Sequence, residues 1–581
     1  MKSKLIVLIF LSCLIQAAVG YAQPPDVVID GRGSRVVEPS FRITESPEII
    51  DSVRPSQVPS YPLLVYQFPT QIGFEKIKSA EIETTDKLKQ LYPFYAKIGM
   101  GSGIMPLGQL VFNSTRSKGY QYGATINHLS YFGSVENREG VVFAPSNYDR
   151  TSSSLYGKIV DNHYSIRGQI DYNNYGFNYY GVPSDTISKS SISQRIQSIG
   201  GAFNYTSDFG NKEVLNYKVD LAYRYLFTKP PSVDSLSEWR TQEHNIHFKT
   251  KGWYNYKSET FYAIVGTRFN NYRFGLEDSV LNVMNTGRLN NNTIIDLKPG
   301  VLTHLMDNKF KLDVGFALAL DIATESRLYI YPQAEIKYSL FNDIFIPFAG
   351  IGGGLTQNTF SKLAGENEYI NASLPLENEN NPYDIYGGIK GTLSKKMGFN
   401  VNASFKKITN KAFFITDTNA TYNNSFDVLY DSLNHTRFEA SIYYQIDEKL
   451  KLDGIARFNS YEMMNHAFAW NLPVLEFQVR GSYNLYDKFL LNIDGRIETG
   501  RKALYRTSAV VEPGGEIMQE GDQYYVNLGS IVDFNLGVEY RYNKRITAFF
   551  QLNNIMSQRY NSWYNYPVQP IQVMGGVSFR F

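Results

Sequence analysis

The feature that most constrains this chain is strict two-residue alternation sustained over lengths that few soluble strands reach. From Leu215 to Phe227 the odd positions Leu215, Tyr217, Val219, Leu221, Tyr223, Tyr225 and Phe227 are apolar or aromatic, while Asn216, Lys218, Asp220 and Arg224 fall on even ones. The same pattern runs through Phe310, Leu312, Val314, Phe316, Leu318 and Leu320 against Lys311, Asp313 and Asp321. It recurs in Val532, Phe534, Leu536, Val538, Tyr540 and Tyr542 against Asp533, Asn535, Glu539 and Arg541. Side chains of a β-strand point alternately to opposite faces, so period two predicts strands with one greasy and one wet face. In Tyr164, Ile166, Gly168, Ile170 and Tyr172 the apolar face begins and ends in Tyr. That is the expected layout of a strand crossing hydrocarbon between two aromatic girdles, and in lipid only a closed barrel satisfies every backbone group that strands expose.

Composition agrees. The 581 residues include 44 Tyr, 37 Phe and 4 Trp, with 19% charged residues against the usual ~25% of soluble domains. Beyond the N-terminal leader no apolar run approaches the ~18 residues a spanning helix needs, which excludes a helical membrane protein. Residues 1 to 22 read as a secretory signal: Lys2 and Lys4, an apolar stretch from Leu5 to Ile15, and small residues leading to cleavage after Ala22. Cys13 lies within that apolar stretch, so the mature chain is expected to carry no cysteine, hence no disulfide and no thiolate metal site. Loss of Lys2 and Lys4 leaves 55 basic against 55 acidic side chains, which gives no electrostatic footprint for nucleic acid.

Three segments follow from this reading: a signal peptide at 1–22, a proline-rich periplasmic or lumenal segment at 23–91, and a transmembrane barrel at 92–581. The middle segment holds Pro24, Pro25, Pro39, Pro47, Pro55, Pro59, Pro62 and Pro69, a density that stops regular structure from propagating. Ten short polar turns are legible in the last segment, near 116–119, 162–163, 210–212, 256–258, 307–309, 342–343, 395–396, 447–449, 487–488 and 543–544. With one strand before the first hairpin and one after the last, they predict about 22 antiparallel strands. The longer polar stretches 132–150, 361–382, 502–525 and 556–569 suit extracellular loops.

The C-terminal strand alternates Val573, Gly575, Val577, Phe579 and Phe581 up to a terminal Phe, similar to the assembly signal of bacterial outer-membrane barrels. Before it, Phe550 to Asn554, then Arg559-Tyr560 and Trp563 to Pro567, resembles the penultimate strand and last loop of TonB-dependent receptors, Bacteroidota members above all. The resemblance covers residues 92–581 and implies an outer-membrane barrel of 22 strands. Those receptors carry a globular plug and a TonB box ahead of the barrel. Between Gln23 and Tyr92 neither is legible, so the expectation is a plugless barrel whose lumen is filled by the 24–91 segment, by inward-folded loops or by a partner.

Candidate sites are few. His128, His163, His244, His247, His304, His435 and His466 are scattered, and His244 and His247 fall on opposite faces of one strand, so no metal site is expected. Gly350-Ile351-Gly352-Gly353-Gly354 lacks a following helix, which reads as a bend or close contact in the wall and not a phosphate loop. Glu366, Glu368, Glu377 and Glu379, among Asn371, Asn378, Asn380 and Asn381, have no fixed ligand spacing and read first as a solvated loop, with weak Ca²⁺ binding as the other option. Tyr175 to Tyr180 and Trp563 to Tyr566 are equally an aromatic girdle or an anchor for a partner or glycan. No catalytic or cofactor-binding set is seen, so no enzyme activity is expected. Two roles remain: a scaffold subunit of an outer-membrane machine such as outer-membrane protein assembly or type 9 secretion, with other outer-membrane or periplasmic proteins as partners, and a passive channel or receptor for solute uptake. The sequence reading prefers the first.

Overall fold

The computed structural model describes residues 91–581 apart from 208, 210–212, 230–238, 277–287, 324, 421, 447–448 and 507–515. The expected signal peptide and the proline-rich segment before residue 91 lie outside the described residues. Twenty-two strands form one antiparallel sheet. Each pairs with the barrel strands before and after it, and the sheet closes where Phe94–Gly101 meets Gln572–Arg580, with Tyr95 opposite Arg580 and Gly101 opposite Met574. Phe94 and Phe581 exchange both backbone hydrogen bonds at 2.9 and 3.0 Å, sealing the seam.

The eight expected turn positions that are wholly described fall between consecutive barrel strands and at one end of the barrel; 210–212 and 447–448 lie outside the described residues. Several turns use Asn and Asp where the backbone turns left-handed, as at Asp307 and Asn308 (φ 53° and 67°), since short polar side chains tolerate that region best. The opposite end carries the long connections, which makes it the extracellular end of an outer-membrane barrel.

Alternation sorts the faces as expected. On Leu215–Lys229, Leu215, Tyr217, Leu221 and Tyr223 are exposed on the outer surface. On the inner face Asp220 accepts from Asn204 Nδ2 at 2.8 Å, and Arg224 reaches a loop inside the lumen, donating to Ser361 Oγ at 3.2 Å. Tyr164, Tyr205 and Tyr217 stack in a row near the turn end, with centroids 6.3 and 5.2 Å apart. Tyr223, Tyr225 and His244 stack near the other. These are the two girdles.

The glycine run is a device in the wall. Ile346–Thr356 pairs with Ser326–Tyr338 only from Phe348 to Ile351, then shifts register between Gly352 and Gly354 while keeping its pairing to Glu379–Ser394. A Cβ on Gly350 would lie 2.4 Å from the Tyr386 ring, so a side chain does not fit there. The bulge bends the strand away from one neighbour, as bulges do, and the segment that follows it enters the lumen.

Candidate functional site

That segment, 357–378, is the centre of a cap across the extracellular mouth. It contains the helix Phe360–Glu366, capped by Thr359, whose side chain accepts from Lys362 N. Glu243, fully buried on the lumenal face of Trp239–Tyr256, accepts from Phe360 N at 2.7 Å and Ser361 N at 2.8 Å, and from Asn270 Nδ2 at 2.8 Å. Two otherwise orphaned N–H groups of the helix start thus reach a carboxylate. Farther along, Tyr272 donates to Ala372 O at 2.6 Å and accepts from Leu374 N, Thr241 donates to Ala372 O, and Asn292 and Asn378 exchange amide hydrogen bonds. With Arg224 of Leu215–Lys229 bonded to Ser361, the loop is moored on four adjacent strands.

It is also tied to the far side. Phe426 N donates to Tyr369 O and Asn371 N to Phe426 O, while Tyr430 donates to Pro375 O at 2.9 Å. Tyr179, just past Tyr164–Asn178, donates to Ile370 O at 2.8 Å, and Asn424 Nδ2 donates to Tyr179 O at 2.6 Å. Asn424 precedes the sixteenth strand, Phe426–Ile446, and Tyr179 follows the fifth. These lie half the circumference apart in a barrel about 40 Å across by strand spacing and tilt. The mouth is bridged from wall to wall.

The bridge has an apolar core. Tyr180, Tyr369 and Tyr566, from three different loops, are 6%, 8% and 1% exposed. Tyr369 stacks on Tyr566 at 3.9 Å, and Tyr180 meets Tyr566 and Tyr369 edge-on at 4.8 and 5.7 Å. Phe177, Phe360, Leu363, Ile370, Phe414 and Phe426 belong to the same buried cluster. The Tyr566 hydroxyl donates to Asn424 O. Burial raises the Tyr179 phenol to about 12 and pushes Tyr180, Tyr369 and Tyr566 up as well. Beside this core, Lys502–Tyr505, Ile517–Glu520 and Gln523–Asn527 form a three-stranded sheet. Buried Arg501 ties it to the last loop, donating to Ser562 O at 2.8 Å; burial lowers its guanidinium to about 10, so it stays charged at neutral pH.

Several sequence readings change here. The two aromatic stretches are neither girdle nor exposed anchor at Tyr179, Tyr180, Tyr564 and Tyr566, because all four are buried inside the cap. The acidic loop is folded and not simply solvated. Glu368 pairs with Arg150 at 3.2 Å and Glu379 with Lys411 at 3.8 Å, whereas Glu366 and Glu377 are exposed. Among the described residues no group of three His, Cys, Asp or Glu side chains is placed to hold a metal ion. His244 stacks outside on Tyr225, and His247 lies opposite Ala222 on the inner face. Of the stretches expected as loops, 361–382 and the described part of 502–525 both contribute to the cap. Glu243, Tyr272 and Arg501 were not singled out from sequence, since one inward polar residue on an alternating strand looks like any other. No helix was expected after the glycine run, yet Phe360–Glu366 follows it; its local signal is Thr359, whose side chain caps the first turn.

No protein-family model matches the chain, and no curated protein matches it in sequence. Solved structures do. The ferric-catecholate import receptor Fiu of E. coli K12 superposes with a TM-score of 0.58 at 11% identity, covering 85% of this chain and 82% of that one. The FrpB iron transporter of Neisseria meningitidis gives 0.61 at 11%, and the copper transporter OprC 0.59 at 12%, with the same coverage. The chain therefore has the fold of an outer-membrane β-barrel. More particularly, its barrel has the 22-strand fold of the TonB-dependent receptors, the resemblance its C-terminal motif carried.

Proposed function

We propose that this protein is an outer-membrane receptor or channel for solute uptake whose mouth is closed by its own extracellular loops. One observation carries the reading: loops from opposite walls meet around Tyr180, Tyr369 and Tyr566 and bridge the lumen. A barrel of this width needs a seal in either role, but a seal made of extracellular loops is a barrier that can be rearranged to admit a solute. The similarity of the fold to iron and copper transporters favours the same reading over the scaffold subunit that sequence alone preferred. No reaction is assigned to the chain, only recognition and passage.

Because the cap is held by side-chain contacts and by a few backbone bonds at the end of Phe426–Ile446, it can be removed without breaking the ladder of the wall. Deleting 361–376 with a short glycine bridge should leave the heat-resistant barrel intact and raise single-channel conductance in a planar bilayer well above that of the intact chain. The 24–91 segment, expected from sequence to occupy the lumen, lies outside the described residues up to residue 90, and deletion of 24–85 tests it in the same assay. Equal conductance of the intact chain and the cap deletion, with both barrels folded, would overturn the reading.

A further inference from the structure

Four neighbouring strands, Tyr148–Val160, Tyr164–Asn178, Ser193–Ser207 and Leu215–Lys229, carry two hollows on their outer face, one above the other. The lower is a cleft of about 510 Å³ on the lipid-facing surface, lined by Leu155, Gly157, Gly168, Ile170, Gly201 and Phe203. Its floor is glycine. Gly157 and Gly168 are paired across adjacent strands, and a Cβ on either would meet no atom within 4 Å; one on Gly201 would meet only a backbone oxygen at 3.7 Å. Packing of the wall thus does not require these glycines. Glycine weakens a strand, and inside one it often marks a place where another molecule approaches closely.

The upper hollow, about 410 Å³, lies six residues farther along each strand, about 20 Å toward the extracellular end. Between the two sits the outer girdle, with Tyr172 and Tyr223 exposed. Its lining includes Lys189, Lys229, Arg195 and Asp149. Arg195 is held by Asp149 at 2.8 and 2.9 Å and donates to Asn174 Oδ1 at 2.8 Å. Lys189 and Lys229 are exposed and have no ion-pair partner among the described residues. One acid against three bases leaves the hollow net positive, at headgroup height.

From this stacking we propose that the outer face of these four strands is a binding site for one phosphorylated lipid of the outer leaflet, an acyl chain lying in the glycine cleft and a phosphate meeting Lys189 and Lys229. Neither half suffices by itself: an apolar cleft on a membrane barrel accepts any chain, and two surface lysines accept any anion. Their alignment on the same strands, separated by the girdle, selects a molecule with both parts. The site is on the outside of the barrel and does not depend on the solute reading.

The test is native mass spectrometry of the full chain in mild detergent, titrated with a bis-phosphorylated glycolipid of the lipid A type and with its dephosphorylated form. The intact chain should hold one copy of the phosphorylated lipid in preference to the other. Gly157→Leu with Gly168→Leu places two apolar side chains in the cleft, starting from Cβ positions that meet no atom within 4 Å, and should weaken binding by about tenfold or more, the worth of two methylenes withdrawn from contact. Lys189→Glu with Lys229→Glu should weaken the phosphorylated lipid by about tenfold or more and leave the dephosphorylated form unchanged, as expected for basic residues near an anionic headgroup. Val401→Leu, on a lipid-facing position of a distant strand, should change nothing. Heat-modifiable mobility checks that each barrel is folded. If the glycine pair binds the lipid as tightly as the intact chain, or if the lysine pair weakens both lipids alike, the assignment is wrong.

Discussion

Replacing Glu243 by Ala should detach the cap while sparing the wall. Its carboxylate is 0% exposed and receives three hydrogen bonds of 2.7 to 2.8 Å, two of them from the backbone of Phe360 and Ser361. Hydrogen bonds to a charged group are worth about 1.5 to 3 kcal/mol each, so losing the two backbone bonds costs about 3 to 6 kcal/mol. The cost falls on the 357–378 segment, because Trp239–Tyr256 keeps its full ladder of backbone pairs on both sides. By the usual conversion of free energy to equilibrium, the open population of the segment rises about 10² to 10⁴-fold. Native-state hydrogen exchange reads this directly, since opening free energies set amide protection. Amides of 363–374 should lose protection by that factor while those of 215–229 and 397–416 keep theirs, and single-channel recordings should show openings that the intact chain lacks. Glu243→Gln retains one acceptor oxygen and should fall between. Unchanged protection of 363–374 in a folded Glu243→Ala barrel would show that the segment is held elsewhere and that the carboxylate is incidental.

Three further outcomes follow from the same geometry. Leu221→Arg places a charge on the lipid-facing surface between the girdles, at a cost of about 2 to 4 kcal/mol near the midplane, and should lower the yield of heat-resistant barrel, whereas Lys218→Arg on the lumenal face should not. Gly350→Val brings its new Cβ within 2.4 Å of the Tyr386 ring and should impair assembly; Tyr386→Ala in the same chain should restore it. The cap should also be alkali-sensitive. Tyr179 has its phenol raised by burial to about 12, so it favours the closed cap in its neutral form, fully below about pH 10 and progressively less as pH rises from about 10 to about 12. Exchange protection of 363–374 should fall in that window before the barrel itself loses heat resistance, and simultaneous loss would contradict the separation of cap from wall.

What the sequence determined by itself is everything that depends on neighbours a few residues away. Alternation in Leu215–Lys229 assigns its two faces because a strand's side chains alternate whatever surrounds it. The ten turns are legible because Asn, Asp and Gly carry the local backbone preferences that reverse a chain. Gly350 to Gly354 announced a bend in the wall, and a register shift stands there. The cap was decided only by closure of the sheet. Tyr180, Tyr369 and Tyr566 are far apart in the chain and approach within ring contact because a closed barrel brings the ends of distant strands around one mouth. In sequence, an aromatic run beside a strand end reads equally as girdle, ligand anchor or core, since all three use the same amphipathic side chains. Burial separates them, and burial is a property of what lies across the lumen, which no local pattern encodes.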